Sequence, residues 1–251
     1  KWNAECDDRL IRLYDFAHDR INQSIHGCLS TTDKGIVEIW AWPDADLAGD
    51  KLFSSKSTSG RFIELVGANG RGMPLQWATN KQGGTALSTP DAETVSLKDC
   101  VKMEALAIQS FFSLVLERPV VLRVLEDNTT CIGNVEKGYS PAMRYLPRTQ
   151  RTSLGFLHEV FCEMDDSDSI GATILQYAPS KKHKGDFFTK DSFSADEFQK
   201  ALTSLRIHGS FEDFLRGERK NLGIKPQITP VMEADELARG LPPPADEVEG
   251  S

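Results

Sequence analysis

Cysteine is scarce and scattered. The five residues Cys6, Cys28, Cys100, Cys131 and Cys162 are odd in number and form no CxxC pair. This excludes a disulfide framework or a zinc cluster as the organising principle and reads as buried free thiols in a reducing compartment. An intracellular, non-secreted protein is expected. No apolar run approaches the roughly 20 residues that a bilayer-spanning helix needs, so no membrane partner is expected. The chain opens on Lys1 without Met, lacks the basic-then-apolar order of a secretory signal, and is read as a piece of something longer. An excess of positive charge is also missing: 29 Lys and Arg face 37 Asp and Glu, for a net charge of −8. That argues against a purely electrostatic grip on nucleic acid. The acidity is local, however. Residues 227–251 hold six acids and one base, whereas 137–190 hold eight bases and six acids. Beyond residue 224, Pro226, Pro230, Pro242, Pro243 and Pro244 accompany the acidic run with too little apolar content for a core, and disorder is expected there.

What is present suits one sizeable domain with extras: 251 residues, 39% hydrophobic and 26% charged. Leu10, Tyr14, Ala17, Ile21 and Ile25 recur at steps of four and three, predicting an amphipathic helix over residues 4–26. IVEIWAW (36–42) is short, branched and aromatic and predicts a strand ending at Pro43. Residues 61–66 predict a second strand. An Asn69-Gly70 turn leads to a third at 73–78, which makes an antiparallel meander. Leu97, Val101, Ala105, Ile108, Phe112 and Val115 then mark one buried stripe of a long helix over 91–116. A buried strand at 120–126, helices at 129–137 and 154–164, and a fifth strand at 170–178 come next. Ser194-Ala195-Asp196-Glu197 is a capping-box signature for a last helix to about Leu205.

Four carboxylates fall where this reading places them near one rim of a sheet: Asp44 after the first strand, Glu93 in the first turn of the long helix, Asp127 after the fourth strand and Asp186 before a late helix. Gathering acids is costly unless cations neutralise them, and oxygen-only ligands select hard ions such as Mg²⁺ or Mn²⁺. Two such ions about 3.5–4 Å apart serve phosphodiester cleavage. By spacing alone, acids at strand and helix ends are better explained as caps and solvated surface. Asp46, Asp50, Asp91 and Asp99 are read that way.

A resemblance sharpens the choice. PDADLAGDKLFSSKSTSGRFIEL (43–65) is similar to the opening of the ribonuclease H domain of copia-type LTR retrotransposon Pol polyproteins, roughly SDADWAGD...STSGYVFFL. WATNKQGGTALSTPDAE (77–93), LEDNTTCI (125–132) and YAPSKKHKGDFFTK (177–190) resemble three further motifs of that family, in the same order. The similarity covers about 36–205. It implies an α/β ribonuclease H-like domain: a five-stranded mixed sheet, three antiparallel strands then two parallel, flanked by helices. Residues 1–35 would be a helical remnant of the preceding polymerase or connection region, and 206–251 a C-terminal extension. The resemblance places two Mg²⁺ ions, with Mn²⁺ as a substitute, on Asp44 shared between both, Glu93 and Asp127 at one ion, and Asp186 at the other. It implies cleavage of the RNA strand of RNA/DNA hybrids, the reverse transcriptase part of the same polyprotein as a partner, and a cytoplasmic virus-like particle or the nucleus as the location. The chain departs from the family pattern at Leu47, Glu126, Gly185 and across 148–159, where a Lys-His pair and much of a basic helix are missing. The side chain of Glu126 is expected on the opposite face of its strand from Asp127.

His183, three residues before Asp186, resembles the loop histidine of many ribonucleases H that assists proton transfer or product release; the alternative is a solvated loop residue. Arg144, Arg148 and Arg151, with Lys181, Lys182 and Lys184, are candidate phosphate contacts, the alternative being a solvated face. Ser57, Thr58 and Ser59 are candidate donors to 2′-hydroxyls or, equally, turn caps. Against the nuclease stand a non-catalytic hybrid-binding or connection module and a DNA-directed nuclease or transposase on the same fold.

Overall fold

The computed structural model describes residues 2–33, 35–49, 54–67, 70–163, 171–190 and 193–221. Its centre is a five-stranded sheet of β2 (Glu38–Asp46), β3 (Thr58–Val66), β4 (Gly72–Lys81), β5 (Leu122–Glu126) and β6 (Thr173–Tyr177), in the order β4-β3-β2-β5-β6. β2, β3 and β4 pair antiparallel, and β5 pairs parallel with both β2 and β6. This is the expected mixed sheet. Ile170 and Asn69 lie outside the described residues.

β2 runs past the proline at which the sequence reading ended it. Its ladder with β5 covers only Ile39–Ala41, and Ile39 N–H donates to Val121 O at 2.9 Å. Parallel ladders step by two residues, so the donor in line for Leu125 O is residue 43, a proline without an N–H. Pairing with β5 stops there, while β2 continues against β3 as far as Asp46. One edge of β2 is thereby left open beside Asp44.

The helix after β4 also departs from expectation. α2 (Thr89–Cys100), N-capped by Ser88, passes through a π-helical turn, Val101–Ala105, into α3 (Leu106–Val115). The wider turn rotates α3 by about 100° relative to a continuous α-helix. Leu97, Val101 and Ala105 are fully buried as the stripe predicts, but the buried positions of α3 are Gln109 and Ser113, and Val115 is 54% exposed. Gln109 Nε2 donates to the carbonyls of Val120, Gly171 and Ala172 at 3.0–3.1 Å, tying the starts of β5 and β6 together. α4 (Thr129–Lys137) is capped by Asn128 and ended by Gly138 in the left-handed region. α5 (Leu146–Thr149) and α6 (Leu154–His158) are short, and α6 passes into a second π-helical turn. α7 (Ala195–Ser204) carries the predicted capping box.

The N-terminal helix, α1 (Ala4–Asp19), ends before the predicted boundary and buries no residue. Its stripe stays in solvent, with Tyr14 69% and Ile21 77% exposed, while Phe16 meets Phe198 of α7 edge-on. The flanks of the domain meet: β1 (Ser24–Ile25) pairs antiparallel with β7 (Ile207–His208), which leads into α8 (Phe211–Asn221). The His26 ring stacks on Phe214. Neither β7 nor α8 is among the elements expected from the sequence, although Phe211, Phe214 and Leu215 share one helical face. Of the cysteines, Cys100 and Cys131 are buried free thiols as expected, but Cys162 is exposed. Among the described residues no helix is long and apolar enough to cross a membrane.

Two faces of the sheet are covered differently. α2 packs on the face of Ile39 and Ala41, and the opposite face of Trp42, Phe62 and Leu125 is covered by Phe187, Phe188 and Leu205. On that second face Glu64, 1% exposed, receives Lys184 Nζ at 2.5 Å, Arg206 Nε at 3.2 Å and Trp42 Nε1 at 3.3 Å. This one carboxylate fastens both the loop carrying Asp186 and the approach to β7. Removing one member of a buried ion network strands the others without a counter-charge. Glu64→Ala is expected to lower unfolding stability by about 3 kcal/mol or more, read from urea midpoints, with Glu64→Gln intermediate.

Candidate metal centre at the end of the central strand

β2 is the middle strand, and its C-terminal end is where both faces become accessible to one side chain. Asp44 pairs with Gly60 of β3, and Ser96 Oγ of α2 donates to the Asp44 carbonyl at 2.7 Å. A Cβ on Gly60 would meet Phe188 Cβ and Thr189 Cγ2, each at 2.7 Å, so glycine there admits the segment 184–189 over β3. From α2 comes Glu93, from the end of β5 Asp127, and from the crossing segment Asp186 and His183.

Two donor sets result. Carboxylate oxygens of Asp44, Glu93 and Asp127 lie within 4.8 Å of one another, and so do donor atoms of Asp44, His183 and Asp186. Asp44 belongs to both. The side chains are deeply placed, with Asp44 5%, Glu93 4% and His183 5% exposed. Glu93 Oε2 is buried without a hydrogen-bond partner in the protein. A dry, unpartnered carboxylate oxygen beside two other carboxylates fits a divalent cation, and Asp44, Glu93 and Asp127 can hold one. Thr189 Oγ1 donates to Asp44 Oδ2, and Lys190 Nζ to Asp186 Oδ2.

Glu126 adds a further carboxyl on the inner side. It shares the helix face of β5 with Leu122 and Val124, opposite Leu125, in line with the expected alternation. It is fully buried. Its Oε1 accepts from Asn128 N–H at 3.1 Å, and its Oε2 has no partner. Burial pushes the Glu126 carboxyl well above the usual carboxylate range. Glu93 is likewise pushed well up, by burial first and then by the charge of Glu126. Asp44 rises to about 6, chiefly through burial and further through Asp186 and Asp127, against the hydrogen bond from Thr189 and the charge of His183.

The remaining candidates are spread more widely. His183 is buried, with its ring edge-on to Trp42, so it is not the solvated loop residue offered as the alternative. Lys181, Lys182 and Lys184 line a cavity of about 660 Å³ beside Asp186, together with Lys190 and Lys200, which spacing did not single out. Arg144, Arg148 and Arg151 are exposed, and Arg144 donates to Tyr139 Oη at 2.5 Å. Ser57 and Ser59 are buried and brace the strand entry: Ser57 Oγ accepts from Ala48 N–H at 3.3 Å, and Ser59 Oγ accepts from Gln82 at 3.0 Å. Thr58 is half-buried, and its N–H donates to Asp46 Oδ1 at 2.5 Å. Asp91, read as a surface acid, is buried and accepts from Tyr145 Oη at 2.6 Å, because residues 141–149 fold over the start of α2. Asp50 lies outside the described residues.

Neither a protein-family model nor a curated protein matches this chain. Among solved structures it is similar to RNase H1 from the halophilic archaeon Halobacterium salinarum NRC-1, with TM-score 0.36 and 10% identity over 61% of this chain and 94% of that one. It is similar also to LC11-RNase H1, solved in complex with an RNA/DNA hybrid, with TM-score 0.38 and 14% identity over 66% and 99%. Prototype Foamy Virus protease-reverse transcriptase gives TM-score 0.26 and 13% identity over 73% of this chain but only 22% of that one. These overlaps are loose, and strand order and pairing direction carry the class: an α/β domain with a ribonuclease H-like five-stranded mixed sheet.

The raised carboxyls give a pH signature. Between its unfolded value of 3.8 and about 6, Asp44 holds a proton in the folded protein that the unfolded chain has released. Its contribution to stability is therefore present below that window and lost as pH rises through it, by an order of about 3 kcal/mol. In chelator, the melting temperature is expected to fall between pH 4 and 7, and millimolar Mn²⁺ to restore it at pH 7.

Proposed function

We propose that this chain is the ribonuclease H part of a copia-type retrotransposon polyprotein, a metal-dependent endonuclease that cuts the RNA strand of RNA/DNA hybrids beside its reverse transcriptase part. One observation supports the reading above all: Asp44 is common to two donor sets reached from opposite faces of the sheet. Asp44, Glu93 and Asp127 would hold one divalent ion, and Asp186 with Asp44 the other. Mg²⁺ or Mn²⁺ bound there supplies an activated water and counter-charge for the departing 3′ oxygen. The protein's own work is positional. Thr189 fixes the Asp44 carboxylate, Ser96 fixes its backbone, and Glu64 anchors the segment that presents Asp186. The lysines of the adjoining cavity attract the phosphates of an entering duplex without reading sequence.

A second reading, a hybrid-binding module without turnover, is favoured by Lys190 on Asp186 and by the shortness of α6, where the resembled family has a basic helix. Labelled hybrid, DNA duplex and RNA duplex with Mg²⁺ or Mn²⁺ separate the possibilities. The nuclease reading predicts cut RNA from the hybrid alone. Asp44→Asn and Asp127→Asn are expected to lower the rate by about three orders of magnitude with an unchanged circular-dichroism spectrum. Retention of hybrid without cleavage by the unmodified chain would favour the module, and unchanged rates in either variant would refute the site.

A further inference from the structure

His183 is built into the protein in a way that a loop acid or base would not need. Its Nε2 lies 2.7 Å from Leu125 O. A carbonyl only accepts, so Nε2 carries a hydrogen, and Nδ1 is the nitrogen whose lone pair a cation can take. That carbonyl is available because Pro43 has no N–H to offer at the corresponding step of the β2–β5 ladder. The ring orientation is set twice more. Trp42 stands edge-on with centroids 5.6 Å apart. A Cβ on Gly185 would meet His183 Cε1 at 2.9 Å and Asp44 Cβ at 2.7 Å, so glycine lets the turn press the imidazole against β2.

Nδ1 itself is buried and has no hydrogen-bond partner in the protein. A ring nitrogen of His183 and one oxygen each from Asp44 and Asp186 lie within 4.8 Å of one another, and Nε2 is already engaged. Ligands about 2.1 Å from one ion stand roughly 3–4 Å apart, so this set is near closure. A histidine that ligates through one nitrogen and donates its other N–H to a backbone carbonyl is the common arrangement at metal sites. The other groups facing this point leave an oxygen of each acid free. Thr189 binds Asp44 at Oδ2, and Lys190, whose side chain is half-exposed, binds Asp186 at Oδ2.

We infer that His183 is a metal ligand through Nδ1, completing with Asp44 and Asp186 a mixed nitrogen–oxygen site that takes Mn²⁺ in preference to Mg²⁺. This rests on the two-ion reading above and goes beyond it, since imidazole shifts selectivity from the hard Mg²⁺ toward transition ions, whereas the Asp44, Glu93 and Asp127 set offers oxygen alone. His183 would then differ in role from a proton carrier: it holds the ion and cannot exchange protons at Nδ1 while it does so.

The test loads the full chain with Mn²⁺ and records electron spin echo envelope modulation, with and without ¹⁵N-labelled histidine. The expected result is a directly bound histidine nitrogen that disappears in His183→Gln. In calorimetric titration, His183→Gln should weaken one of two Mn²⁺ sites by at least about tenfold, leaving the other site and Mg²⁺ affinity unchanged. Asp127→Asn should weaken the opposite site. Two bound Mn²⁺ ions and cleaved hybrid without nitrogen coupling would overturn the inference and leave the nuclease reading standing. Absence of Mn²⁺ binding would overturn both. The spectrum of the unmodified protein decides even if the variant misfolds.

Discussion

Carboxylates held close together in a dry environment repel one another, and the protein can keep them there only by protonation, by internal donors or by a cation. That constraint organises the end of β2. Asp44, Glu93 and Glu126 are all buried, all raised in pKa by burial first, and the latter two each leave an oxygen without a partner. Nothing about the hydrophobic core requires this arrangement. It is tolerated because the surrounding scaffold over-determines it, and it makes chemical sense when positive charge from outside completes it.

The scaffold does so through a few backbone decisions. Pro43 ends the β2–β5 ladder early, which opens the edge beside Asp44 and frees Leu125 O for His183. Gly60 and Gly185 let the segment 184–189 lie against β3 and β2 more closely than a Cβ permits. Glu64, gripping Lys184 and Arg206 on the same face, prevents that segment from lifting away. On the other face the π-helical turn receives Arg61 through a bidentate pair with Glu104, at 2.5 and 2.7 Å, so the helix bearing Glu93 is fixed to β3. The four carboxylates therefore sit on elements coupled to one sheet.

Much of this was legible in the residues. The meander, α4 with its Asn128 cap and the capping box of α7 arise from local rules, because local rules suffice for them. Strand-end acids suggested a cluster, and the motif resemblance named its members. What escaped reading is non-local. The stripe continued through Val115 fails because a π turn adds a residue, and the partner of that turn's Glu104, Arg61, lies 43 positions away in sequence. β7 is missed because two-residue pairing with Ser24–Ile25 has no periodic signature, whereas α8 carries one, Phe211, Phe214 and Leu215 at steps of three and one, that the sequence reading does not pick out. Asp91 reads as superficial until Tyr145 folds over it, and His183 resembles any loop histidine until Pro43 is seen to leave it a carbonyl.

The central claim is that the open edge of β2 gathers two cation positions around one shared aspartate. Crystals grown in chelator and then soaked in Mn²⁺, with anomalous differences measured near the manganese edge, address it directly. The account predicts two anomalous peaks, one among Asp44, Glu93 and Asp127 and one beside Asp44 and Asp186. Peaks confined to surface acids, or the four carboxylates found apart from one another, would contradict it.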